Sequence, residues 1–408
     1  MTEKIPILDL KEQTRNLQAE VLEAFQCVLA DAAFIRGPEV SKFETEFARY
    51  IGVNHAIGVG NGTDALVLAL RALDIGPGDE VITTTFSFIA SAECISLVGA
   101  TPVFVDIDPV TFTIDVAKLE ALITPRTRAV IAVHLYGQPA DILAIKRITD
   151  SHELSLIEDC AQATGATYDG RRIGSFGDFG CFSFFPSKTL GAFGDGGAVT
   201  TPHAAMADRV RWIGDHGSRV RYTHEMLGTN SRLDSLQAAV LRVKLRHLET
   251  WNERRRQIAA RYSHALEKAG VITPTDAPYG PSRHVYHQYT VRLPQCRDAI
   301  RDHLAANGIT SVVYYPISLH LQPVYETLGY GRGAFPVAEL AQEEVLSLPM
   351  FPELTDTQVD RIATLCAERF RELVPASPPA TGVALASEGA IGSTEELVGL
   401  EEEALQAG

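Results

Sequence analysis

Between Asn54 and Thr200 short apolar runs recur with helix-length spacers between them, and no other feature restricts the fold as much. "HAIGVG" is followed by the helix-patterned "DALVLALRAL", a "GPGD" turn and the strand-like "EVITTT". "TPVFVDI", "RAVIAVHLYG", "LSLIED" and "FGCFSFF" come next, spaced to admit helices such as "VAKLEALI" and "DILAIKRITDS". Strands that alternate with helices predict an α/β fold, a mostly parallel sheet flanked by helices on both faces.

From Asp234 to about Lys268 apolar residues keep helical spacing among many charges, which predicts one long or bent helix leading out of this unit. Beyond it, "HQYTVRL", "RDAIRDHLAANG" and "TSVVYYP" alternate strand, helix and strand patterns, as expected for a smaller C-terminal α+β domain ending near Leu373. The expected division is 1–248 for an N-terminal arm and large domain, 249–375 for the small domain, and 376–408 for a flexible acidic tail rich in Pro, Ala, Gly and Glu.

A net charge of −15 argues against nucleic-acid binding, which depends on basic patches that release counterions from phosphates. No run approaches the length of a membrane helix, and "MTEKIPILDLKEQ" lacks the apolar core of a secretion signal, so a cytoplasmic protein with no membrane partner is expected. Six cysteines stand without a C-x-x-C pair, which fits reduced, buried thiols and no metal site.

Three stretches carry chemistry. In "GVGNGTDAL", glycines Gly58, Gly60 and Gly62 follow a strand and open a helix, but Thr63 stands where a dinucleotide fingerprint needs its third glycine. The free N–H groups of such a helix start suit an anion, with a plain tight turn as the other reading. In "PSKT", Lys188 lacks the glycines of a nucleotide-binding P-loop, since Ser187 and Phe182 occupy those places. In "LIEDCAQATGA" a strand end delivers Glu158, Asp159 and Gln162 at the edge where α/β proteins bind ligands. A phosphate turn, a strand-end carboxylate and a lysine among aromatic residues together suggest a pyridoxal phosphate site.

The ordered set "GNGTDAL", "GPGDEVI", "GATPVFVDID", "HLYGQPAD", "IEDCAQATGA", "FSFFPSKTLGAFGDGGAV", "NSRLDSLQAA" and "YYPISLHLQPVY" resembles the DegT/StrS family of pyridoxal-phosphate-dependent nucleotide-sugar aminotransferases, over about Ile5 to Leu373. The resemblance implies the aspartate-aminotransferase fold, a homodimer with shared active sites, and transfer of an amino group from L-glutamate to a keto-sugar nucleotide. By position in the motifs it implies that Lys188 holds the cofactor and moves the proton, Asp159 pairs with the pyridinium nitrogen, and Gln162 contacts the ring hydroxyl. Gly62, Thr63 and Ser183 would hold the phosphate, Phe88 would stack on the ring, and Asn230 would reach the phosphate of the neighbouring subunit. Arg36, Arg232 and Tyr314 are the expected substrate contacts, although Tyr314 stands where many members of the family have histidine.

Bland alternatives accompany several of these: Ser183 as a backbone-bonded serine, Phe88 as a core aromatic, Arg232 as a solvated charge, and His216 as a structural rather than catalytic residue. The motifs look most like the branch that acts on 3-keto sugars, either a dTDP-3-keto-6-deoxyhexose or UDP-3-keto-N-acetylglucosaminuronate. A 4-keto substrate, a sugar dehydratase and a non-catalytic regulatory protein are the competing expectations.

Overall fold

The structure, a computed structural model, describes residues 4–374. Seven strands form its central sheet: β1 (His55–Val59), β2 (Glu80–Thr84), β3 (Thr101–Val105), β4 (Thr127–Val133), β5 (Ser155–Asp159), β6 (Phe179–Ser183) and β7 (Gly197–Thr201). Their order is β1-β7-β6-β5-β4-β2-β3, and only β7 runs against its neighbours. The expected α/β architecture is what forms.

Alternation along each strand divides the core in two. Val81, Ile131, Ile157, Cys181 and Val199 join one apolar cluster, while Ile82, Val130, Leu156, Phe182 and Ala198 join the other on the opposite face. Helices cover both faces: α3 (Gly62–Ala72) buries Leu66 and Leu70 in the first cluster, and α2 (Pro38–Ile51) buries Phe43 and Phe47 in the second. Because six strands share one direction, the carboxyl ends of β1, β2, β4, β5 and β6 lie on one edge, which is where ligands bind in sheets of this kind.

The predicted long helix is bent. Helices α5 (Ser235–Leu245) and α6 (Leu248–Glu267) meet in a tightened turn in which Arg246 and His247 donate to the carbonyls three residues back, at 3.3 and 3.0 Å. Beyond α6, strands Tyr289–Arg292 and Val345–Leu348 pair antiparallel, with helices Arg297–Ala306 and Asp356–Leu373 beside them. "TSVVYYP" departs from its expected strand: only Val312 pairs, with Ser347, and the chain then leaves so that Leu319 N–H reaches the Thr85 carbonyl at 2.7 Å. Pro316 has no N–H with which to continue a ladder.

Among the described residues no helix is long and apolar enough to cross a membrane. All six cysteines are free, and five are buried. The expected tail, 376–408, lies outside the described residues.

Candidate active site

The end of β1 turns directly into α3. Asn61 caps the helix, its side chain accepting from Asp64 N–H at 2.8 Å, and the amides of Gly62 and Thr63 have no acceptor within the helix. A Cβ at Gly62 would lie 2.6 Å from Ser183 Cβ, so only glycine lets the helix start approach the end of β6 this closely. Ser183 is buried, and its hydroxyl accepts from Phe185 N–H at 3.3 Å, as the backbone-bonded reading of that residue expects. Backbone N–H groups, a hydroxyl and the positive end of a helix thus converge, an arrangement suited to a phosphate.

On β5 the two carboxylates that the sequence brings to one strand end are separated by the period of the strand. Asp159 is buried at the carboxyl edge and accepts from the Ser91 hydroxyl at 2.7 Å and from Ala161 N–H at 3.1 Å. Glu158 points to the other face. It accepts from the amides of Gly174, Phe176 and Gly177 at 2.8 to 2.9 Å and meets His134 Nε2 at 3.2 Å. His134 Nδ1 in turn accepts from Ala140 N–H, so this pair braces two loops and has no capacity left for ligand chemistry.

Lys188 follows β6 through a turn closed by its own N–H on the Phe185 carbonyl at 2.8 Å. The side chain is half-buried, and loss of hydration lowers its pKa to about 8, while the negative charge of Asp159 works in the opposite direction. A lysine so placed has a substantial neutral fraction near neutral pH, as a nucleophilic amine needs. His287 lies close enough for the Lys188 charge to reinforce the burial that pushes its own pKa well down, and its buried Nδ1 has no hydrogen-bond partner. Nothing in the sequence singled out His287.

Gln162 is buried. Its oxygen accepts from Tyr136 N–H at 2.7 Å and its amide nitrogen donates to the Tyr315 hydroxyl at 3.0 Å. The position predicted for substrate contact, Tyr314, meets Tyr136 through its backbone carbonyl, which accepts from the Tyr136 hydroxyl. The hydroxyl of the adjoining Tyr315 comes to Gln162, and its ring centroid is 6.3 Å from that of Phe88. Phe88 is 53% exposed at the mouth of this edge, so it is not the core aromatic of the bland reading.

Arg36 and Arg232, distant in sequence, share one carboxylate: each donates to Asp215 at 2.6 Å, through opposite oxygens. Asp215 went unnoticed in the sequence because it precedes His216 in a short "DHG" with no periodic context. Arg232 is therefore paired, not a solvated charge. Asn230 is exposed and bridges to the backbone of Asp215. His216 has a left-handed φ of 60° and uses its backbone N–H and carbonyl to hold the neighbouring loop, in keeping with a structural role.

A separate cleft of about 750 Å³ lies between Asn16, Trp251, Arg254, Arg256, Arg283 and Glu353, away from every group above. Its arginines are committed to ion pairs with Glu253 and Asp356. The sheet edge, with its unpaired amides and desolvated amine, is the better candidate for chemistry.

A pyridoxal phosphate molecule matches this set of groups. Its phosphate needs the amide and hydroxyl cradle, its ring nitrogen a buried carboxylate without a competing cation bonded to it, its ring oxygen an amide N–H, and its aldehyde a neutral amine.

The model of the DegT/DnrJ/EryC1/StrS aminotransferase family matches residues 15–366. A UDP-N-acetyl-3-dehydro-alpha-D-glucosamine 3-aminotransferase from Acidithiobacillus ferrooxidans is 50% identical over 361 residues, 88% of this chain and 96% of that protein. A protein of Geobacillus stearothermophilus called "Pleiotropic regulatory protein" is also 50% identical, over 90% of this chain and 99% of its own. Among solved structures, Streptomyces venezuelae DesV in complex with a ketimine intermediate superposes with a TM-score of 0.88 at 47% identity, covering 90% of this chain and 99% of that one. Bacillus subtilis NtdA with bound cofactor PMP gives 0.85 at 31% identity, covering 91% and 86%.

Proposed function

The chain belongs to the DegT/DnrJ/EryC1/StrS aminotransferase family, and from that premise we propose how its own residues transfer an amino group to a nucleotide sugar. The protein is a pyridoxal-phosphate-dependent transaminase, and we take L-glutamate as the donor and a 3-keto sugar nucleotide as the acceptor. Pyridoxal phosphate, when bound, supplies a carbonyl that captures the migrating nitrogen and a ring that delocalises the electron pair left on carbon.

The amides of Gly62 and Thr63 and the hydroxyl of Ser183 hold the phosphate. Asp159 would keep the ring nitrogen protonated, Gln162 would donate to the ring oxygen, and Phe88 would stack on the ring and exclude water. Lys188 has two tasks. It would hold the cofactor at rest, and its Nζ would move the proton at the carbon that bears the nitrogen, in the amino acid first and in the sugar second. Arg36 and Arg232 supply positive charge for the anionic substrates, and Tyr314 is a further substrate contact. In a homodimer Asn230 reaches the phosphate bound by the neighbouring copy. Leu29, Phe34, Ile35, Tyr222 and Leu227 are exposed and would be covered by such a partner. No membrane or nucleic-acid partner is invoked, and the setting proposed is the cytoplasm.

The observation that carries the reading is the joint placement of Lys188 and Asp159, an amine with lowered pKa in the field of a buried carboxylate on the ligand edge. It also weighs against a purely regulatory protein, the reading that the name of the Geobacillus relative favours, since regulation requires neither group. Among acceptors, UDP-3-keto-N-acetylhexosamines and their uronates come first on the strength of the Acidithiobacillus relative, with dTDP-3-keto-6-deoxyhexoses next; 4-keto sugars and dehydration are the alternatives.

The test is spectroscopic. Purified holoprotein shows a visible band that glutamate bleaches and a 3-keto nucleotide sugar restores, and Lys188→Ala abolishes both the band and turnover. A protein that stays colourless after reconstitution, or a Lys188→Ala variant that still transaminates, overturns the assignment, and restoration by 4-keto sugars alone overturns the choice of acceptor.

A further inference from the structure

We propose that Tyr315 is a positioning residue for Gln162, fixing the amide N–H that faces the ring oxygen of the cofactor and thereby setting the proton affinity of the bound cofactor. The inference rests on the assignment of this edge to pyridoxal phosphate.

Gln162 is 5% exposed and held at both ends of its amide. Its oxygen is committed to Tyr136 N–H at 2.7 Å, which points the nitrogen the other way. Of the two hydrogens on that nitrogen, one goes to the Tyr315 hydroxyl at 3.0 Å. The second is then fixed in the amide plane, because turning the group would break both bonds at once.

Tyr315 is itself well held. Its ring lies 6.3 Å from those of Phe86 and Phe88, and the adjoining Tyr314 carbonyl accepts from the Tyr136 hydroxyl. The segment containing Tyr315 is thus tied twice to the Tyr136–Gln162 pair, and a displacement of that segment is felt at the amide. Tyr136 is bonded to Gln162 and coupled by charge to Tyr315, and it remains, with Asp159, Lys188 and His287, in the variants below.

An N–H aimed at the ring oxygen favours its ionised form, so weakening that donation makes the cofactor easier to protonate. The absorbance of the bound cofactor is titrated against pH without substrates, in wild type, Tyr315→Phe, Gln162→Leu and the double variant. Tyr315→Phe raises the midpoint by up to about one pH unit, the equivalent of one hydrogen bond of ordinary net strength. Gln162→Leu raises it at least as far, and the double variant matches Gln162→Leu. Tyr315→His restores an acceptor, returns the midpoint toward wild type, and decides the matter if the phenylalanine variant fails to fold or to hold cofactor. An unmoved midpoint in Tyr315→Phe, an equal shift in the Gln162→Leu background, or a failure of histidine to restore the midpoint overturns the positioning role. A protein with no Lys188-dependent band overturns the cofactor assignment itself, and the proposal with it.

Discussion

Lys188 is balanced between two opposing effects: burial lowers its pKa to about 8, and Asp159 holds it up. The neutral, reactive amine therefore gains population as pH rises through about 8, and removing the carboxylate moves that transition down. Capture of pyridoxal phosphate by the cofactor-free protein, followed by borohydride reduction and mass spectrometry, should accelerate across this range. Asp159→Asn should accelerate at lower pH than wild type even though it holds the cofactor less well. A transition that stays in place or moves up in Asp159→Asn contradicts the coupling. The sequence pointed to both residues, and the structure brings them within electrostatic reach of each other. The sequence also delivered Glu158 to the same strand end, and a period of two along β5 sends that side chain to the opposite face.

The element that matters most is the start of α3. Its two uncommitted amides exist because the helix begins there, and it begins there because Asn61 caps it and Gly62 lets it touch β6. Gly62→Ala has to force the two elements apart at a 2.6 Å approach between a new Cβ and that of Ser183. Overpacking of this kind costs about 1 to 3 kcal/mol, and here it also widens the cradle. Thermal unfolding and cofactor affinity should therefore fall together. Asn61→Ala, which removes only the cap, should cost about 1 kcal/mol of stability with a smaller loss of affinity. Equal losses of affinity in the two variants would mean that the close packing is not what shapes the site.

For the whole molecule, the exposed apolar residues matter most. Tyr222 and Leu227 are 82% and 89% exposed on the excursion that carries the chain from Asp215 to Asn230, and the exposed Phe34 and Ile35 immediately precede Arg36. A second copy of this chain packed there would bury them and bring Asn230 near a neighbouring site. Light scattering should give twice the 44.3 kDa chain mass, and Leu227→Glu should shift it toward the monomer with parallel loss of turnover. A monomeric, fully active wild type would remove the shared site from the mechanism.

The strand and helix pattern, the strand-end aspartate, the lysine in the turn after a strand and the glycine-opened helix were all legible in the sequence, because each is a local property: a periodicity, a cap, a turn residue beside a strand. The sequence could not show which faces those strands would turn or which distant groups would meet. Asp215 joining Arg36 to Arg232, Tyr315 reaching Gln162, and His287 beside Lys188 all depend on segments separated by at least 17 positions in the Asp215–Arg232 pair and by 153 in the Gln162–Tyr315 pair. Contacts of that kind form only when the sheet edge, the loop that carries Arg36 and the segment before Leu319 pack against one another, and packing, unlike periodicity, leaves no trace in neighbouring residues.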